Sequence, residues 1–159
     1  MPLRLAAAAA AMLVLVAFAF WPAYLSRLGA ADGYTHAHAV LGTGWLLLLI
    51  AQPLLVHRRA GRAHRALGRL GQVVGAAFFV TGELTAHRGL ARKSAEQLAR
   101  EGYFVYLPLS MSLIFGAALL LGVLWRAAPA VHGRFMACTA VPLLDPLIAR
   151  ALYHFFPPL

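Results

Sequence analysis

The apolar residues of this chain fall in long runs, and the basic residues lie mostly in the short segments between them. A helix needs about 20 mainly apolar residues to cross the hydrocarbon core of a bilayer, with a lower limit near 17. Five stretches qualify: roughly 5–25, 37–56, 70–86, 103–125 and 135–156. The third is the shortest, and Glu83 interrupts its outer part. The pattern predicts an all-α integral membrane bundle of five transmembrane helices, forming one domain over residues 1–159. The first stretch also has features of a signal peptide: Arg4, then an apolar run over 6–20, then small residues near Ala30. Trp21-Pro22 directly after the run, and the poor cleavage sequence Leu28-Gly29-Ala30, favour a retained helix. A cleaved one would leave four helices.

Composition agrees with a membrane class. Of 159 residues, 62% are hydrophobic and only 12% charged, with a mean hydropathy of +0.74. Soluble domains carry about twice that share of charge, and disordered segments are poor in apolar residues, so both classes are excluded. A single cysteine, Cys138, excludes an internal disulfide framework and multi-cysteine metal patterns. The net charge of +9 would suggest nucleic acid in a soluble protein. Here the cations flank apolar runs, where they set orientation and meet anionic lipid, so nucleic acid is not an expected partner. Arg58, Arg59, Arg62, Arg65 and Arg69 lie between the second and third stretches; with Arg4, Arg126 and Arg134 they outnumber the basic residues of the other side. The bias predicts a cytoplasmic N-terminus and a C-terminus on the outer side. In the outer loop 88–102, Ser94 with Gln97 reads as a capping box, and Glu96 with Arg100 as an i,i+4 pair on a short helix.

Polar groups inside a span cost free energy unless they are paired or used, so each is a functional hypothesis. His38, Trp45 and Gln52 recur every seven residues and share one helix face, with Gly42 beside them. His36 points elsewhere. Glu83 and His87 lie one turn apart, and Gly68, Gly71, Gly75 and Gly82 offer small surfaces for close helix packing. Asp145 stands between Pro142 and Pro146, which free the carbonyls of Cys138 and Pro142 and predict a kink.

The seven histidines sort to the span ends: His36, His38, His87 and His154 on the outer side, His57, His64 and His132 on the inner side. Paired imidazoles at matching depth on two helices are what a bis-histidine haem b needs. His38 and His87, with Trp45 flanking, are the leading outer pair. His64 and His132 are an inner pair, with His57 as a substitute. His38, Glu83 and His87 could instead bind non-haem iron, manganese or zinc. A proton path through His38, His87, Glu83 and Asp145, with Arg150 beside it, is a third use. Plainer readings stand beside these. The histidines next to arginine could be headgroup anchors, Trp45 could be packing, and Glu83 or Asp145 could pair with Arg150. Cys138 reads as a buried small apolar residue.

Two resemblances follow from these residues. His38-Ala39-x-x-Gly42-x-x-Trp45, Gln52-Pro53, His57-Arg58-Arg59, and His64-Arg65-Ala66-Leu67-Gly68-Arg69 resemble a group of small bacterial inner-membrane proteins. His132-Gly133-Arg134-Phe135-Met136, Leu143-Leu144-Asp145-Pro146 and Arg150 are similar to the last span of that group, so the likeness covers about 36–154. It implies a bacterial inner-membrane protein, whose outer C-terminus would then be periplasmic, without fixing an activity. The chain also resembles transmembrane b-type cytochromes in its paired histidines. It departs from their two ligands about 14 residues apart on one span, because Gln52 stands where the partner of His38 would be. That departure favours a single outer haem over two haems. Three functions follow as expectations: a haem-binding, redox-linked protein passing electrons to quinone or a redox partner; a non-catalytic accessory subunit packed against other membrane subunits; and a small proton-coupled transporter. A redox carrier or accessory subunit is expected before a stand-alone enzyme, and no motif of a hydrolase is present.

Overall fold

The computed structural model of the chain describes residues 2–100 and 102–156, the side chains of 102–105 excepted. Every regular element among them is helical: α1 Pro2–Phe20, α2 Gly33–His57, α3 Gly61–Ala91, α4 Ala95–Arg100, α5 Gly102–Leu124, α6 Pro129–Cys138 and α7 Val141–Phe155.

Local chemistry sets the ends. Trp21-Pro22 closes α1, because Pro22 has no N–H to continue the ladder, and a short 3-10 helix over Leu25–Ala30 follows. The first span is therefore shorter than its sequence run of 5–25 suggested. Asp32 caps α2, its Oδ1 accepting from both the backbone N–H and the hydroxyl of Thr35 at 2.8 Å. Those bonds, and to a lesser degree Arg88, hold the Asp32 carboxyl below its usual value. At the other end of α2 the Arg59 N–H reaches the Val56 carbonyl at 3.0 Å, and the Ala60 N–H reaches Leu55 at 2.9 Å. Arg59 takes the left-handed conformation this closing pattern requires, at φ 55°. The expected capping box is present, with Ser94 and Gln97 bonding reciprocally at 2.9 and 3.2 Å, and Arg100 meets Glu96 at 2.9 Å.

Among the described residues, four segments are long and apolar enough to cross a membrane: Pro2–Phe20, Gly33–His57, Tyr106–Leu124 and Pro129–Phe155. The third expected span is not among them. It lies within α3, a 31-residue helix whose first turns carry Arg62, Arg65 and Arg69 and whose middle carries Gln72 and Glu83.

In lipid there is little hydrophobic gain in bringing helices together, so close packing through small residues decides the arrangement. Along α2 and α3, Gly42 meets the Phe78 ring, Gly75 meets Trp45, Gly71 meets Leu48 and Gly68 meets Gln52. That register runs the two helices antiparallel. On its next face α3 meets α5 antiparallel too, with Gly82 by Ser112, Phe79 over Gly116 and Gly75 against Leu119. Trp45, Leu48, Phe78, Phe115 and Leu119 form the core where these three helices meet. α1 packs alanines Ala6, Ala9 and Ala19 inward, and near its end Phe18 stacks on Phe155 of α7 at 4.1 Å.

The last span is two helices, as its prolines predicted. α6 stops at Cys138 and α7 begins at Val141, with Pro142 in its first turn. Cys138 is exposed, which corrects its reading as a buried residue; the break turns it to the outside. Thr139 fills the inner side of the break with no exposed surface. Its hydroxyl donates to the Met136 carbonyl at 2.6 Å and accepts from Trp45 Nε1 at 3.1 Å. Trp45 is thus both packing and a polar tie between α2 and the break.

Candidate functional site: a cavity at the arginine-rich end

The residues singled out by sequence separate into two groups at opposite ends of the bundle. Far from the arginines, the ring of His38 stacks on Phe78 with centroids 4.7 Å apart, and its Nδ1 lies 3.2 Å from Thr81 Oγ1. The Thr81 hydroxyl already donates to the Phe78 carbonyl at 3.0 Å, so the His38 N–H is the donor in that contact. Gly82 leaves the room that His38 and the Ser112 hydroxyl occupy. His87 is exposed, and no hydrogen bond or ring contact joins it to His38. Glu83 keeps one carboxylate oxygen buried without a partner. No group of three or more His, Cys, Asp or Glu among the described residues is placed to hold a metal ion, so His38, Glu83 and His87 are not gathered into one.

The expected pairing of Asp145 or Glu83 with Arg150 is not made. Arg150 lies instead over the Phe20 ring of α1, 4.7 Å from its centroid, while Asp145 is half-buried on α7. His36 leaves the face of His38, as two residues of helix dictate, and sits 2.7 Å from the Tyr24 hydroxyl.

At the arginine-rich end the picture differs. A cavity of about 1140 Å³ opens between α1, α2, α3 and α6, roofed by Trp45 and the last turn of α5. Its walls are mostly aliphatic, from Met12 of α1 to Ala140 beyond α6. Small residues create the space: Ala8 and Ala9 on α1, Gly68 and Gly71 on α3, Gly133 and Ala137 on α6. Such a volume is at the upper end of what holds a small molecule or cofactor.

Two histidines meet on the cavity wall. His64 of α3 and His132 of α6 have ring centroids 6.3 Å apart, with planes at 87°. His132 donates its Nδ1–H to the Gly122 carbonyl at 2.7 Å, which places a proton on Nδ1 and leaves Nε2 as the ring nitrogen not engaged by that bond. His64 is tied by its backbone carbonyl, which accepts from Gln52 Nε2 at 3.3 Å. The imidazole itself has a buried Nδ1 with no partner, and Gln52 has a buried Oε1 with none. His64 precedes the apolar stretch of α3. Burial, then the neighbouring His132 and Arg65, hold its imidazole toward the neutral form against the opposing bond from Gln52. His57, the alternative inner histidine, is exposed and does not line the cavity.

The seven-residue stripe of α2 therefore connects both ends. His38 faces Thr81, Trp45 forms the roof, and Gln52 reaches His64. Sequence reasoning named every one of these except the partners Thr81, Gly122 and Thr139, which carry no ionisable group and gave no signal. No protein-family model, no curated protein and no solved structure matches this chain.

Proposed function

We propose that this is a membrane haem protein that carries electrons, with its cofactor in the cavity and His64 and His132 as the iron ligands. The observation behind this reading is the His64–His132 pair. Metal–nitrogen bonds are near 2 Å, so two imidazoles on opposite sides of one metal have ring centres roughly 6 Å apart. The observed separation is 6.3 Å. Ligating histidines usually give their second N–H to a carbonyl, as His132 does to Gly122. His64 Nδ1 and Gln52 Oε1 are each buried without a partner, and the Gln52 amide already reaches the His64 backbone, so Gln52 is the residue at hand to serve the same duty once the imidazole is engaged. Haem would supply reversible one-electron chemistry. The chain itself supplies the two imidazoles, a mostly apolar wall, and Trp45 above.

Relative to the sequence reading, this favours the inner pair over His38 and His87. His38 is engaged with Thr81 and Phe78, and His87 is exposed. The same proposal places α3 across the bilayer. α2 and α5 both run antiparallel to α3 and hence parallel to each other, and two parallel spans joined in sequence need a crossing between them. Five spans with the arginine-rich end in the cytoplasm follow, N-terminus inside and C-terminus outside.

The test is the absorbance of detergent-purified protein made with haem supplied, as isolated and after dithionite. A Soret band that sharpens on reduction, with α and β bands, is expected. It should be lost in His64→Ala and in His132→Ala and kept in His38→Ala and His87→Ala. A flat visible spectrum in the wild type would overturn the reading and leave a helix-packing, accessory role.

A further inference from the structure

The cavity is asymmetric in charge. Arg62, Arg65 and Arg69 of α3 line it at spacings of three and four residues, and therefore from one helix face, and Arg126 joins them from the end of α5. No aspartate or glutamate lines the cavity, and none of these four guanidinium groups has an ion pair among the described residues. Away from them the lining is alkyl chains, prolines, glycines and Trp45, with Gln52, Gln72, His64 and His132 as its polar members. A site with several unpaired cations at its mouth and an apolar interior selects an amphiphile with an anionic end. Guanidinium recognises carboxylates through paired N–H donors, and more strongly where water is excluded.

We infer that Arg62, Arg65, Arg69 and Arg126 form a dicarboxylate-binding mouth, which holds the two propionates of the tetrapyrrole and sets which edge enters the cavity. This rests on the haem reading of the same site and adds to it a ligand orientation and a specificity. The carboxylate edge lies toward the arginine-rich end, and the apolar edge lies toward Trp45. A haem whose carboxylates are esterified is then a poor ligand, although its iron chemistry is the same. Removing the positive charges should weaken binding of the free acid while leaving the ester untouched.

The experiment titrates haem-free wild-type protein in detergent with haem b and with its dimethyl ester, following the Soret shift. The titrations are repeated with Arg65→Gln/Arg69→Gln and with Arg65→Lys/Arg69→Lys. The wild type is expected to bind the diacid at least tenfold more tightly than the diester. The glutamine variant should lose that preference by weakening the diacid alone, and the lysine variant should retain part of it. Equal wild-type affinities for the two porphyrins would overturn the inference while leaving the haem reading standing. Failure of both to bind would overturn the two together. The wild-type comparison needs no variant to fold, so it decides the matter even if the glutamine substitutions destabilise the bundle.

Discussion

Thr139 carries more of this fold than its size suggests. It stands where α6 and α7 part, and a break within a span leaves backbone groups that lipid cannot satisfy. Its hydroxyl bonds the Met136 carbonyl and at the same time receives the indole N–H of Trp45, a residue with 1% of its surface exposed. Thr139→Val keeps the shape and removes the acceptor, stranding a buried donor at a cost of about 1–3 kcal/mol. Thermal unfolding in detergent is expected to show that loss, and Trp45→Phe in the same background should recover part of it by removing the stranded donor. An undiminished Tm in Thr139→Val would show the tie to be idle. The Trp45 end of this bond was legible in the sequence because tryptophan sits on a seven-residue polar stripe. The Thr139 end was not, since a threonine among prolines looks like any other until tertiary packing brings it to the indole.

At the level of the helices, glycines divide by what a methyl group would meet. A Cβ on Gly75 would lie 2.8 Å from the Trp45 ring and 2.9 Å from Leu119, both held in the core. Gly75→Ala should therefore cost about 1–3 kcal/mol through overpacking. Gly89, near the end of α3, meets nothing within 4 Å. Gly89→Ala should gain roughly 0.5–1 kcal/mol by lowering the entropy of the unfolded chain within a helix. Opposite Tm shifts from the same substitution, about 14 residues apart on one helix, would separate contact from propensity; equal shifts would refute the close approach at Gly75. The start of α2 offers a pH test. The folded Asp32 carboxyl lies below its ordinary value of 3.8, so its contribution is complete above that value and fades as pH falls through the depressed one. Asp32→Asn keeps a capping oxygen without the charge. The Tm difference between wild type and variant should hold steady at neutral pH and close below pH 3.8. A difference that persists unchanged in acid would mean the charge contributes nothing. The all-helical class and the approximate positions of the apolar segments were readable from run length, and the break in the last segment from Pro142 and Pro146. The full length of α3 was not, because charged first turns hide a helix from a hydropathy reading.

For the whole molecule, the informative fact is the separation of its two polar ends by the Trp45, Phe78 and Phe115 core. The sequence sorted the histidines into two layers, and the structure keeps the layers apart. Which layer offers a cavity depended on where alanine and glycine fall on α1, α3 and α6 together, a property of three helices at once that no single run displays. The register of α2 and α3 has a further consequence, for biosynthesis. α3 is more polar than the four segments long and apolar enough to cross a membrane, yet it matches α2 pair by pair from Gly42 and Phe78 to Gln52 and Gly68. The connection between them is three residues, Arg58, Arg59 and Ala60, already folded into a closed turn. Under the five-span proposal the two helices would leave the translocation machinery as one hairpin, with α2 supplying the packing surface that α3 would otherwise lack in lipid and the arginine-bearing turn staying on the side where the ribosome stands.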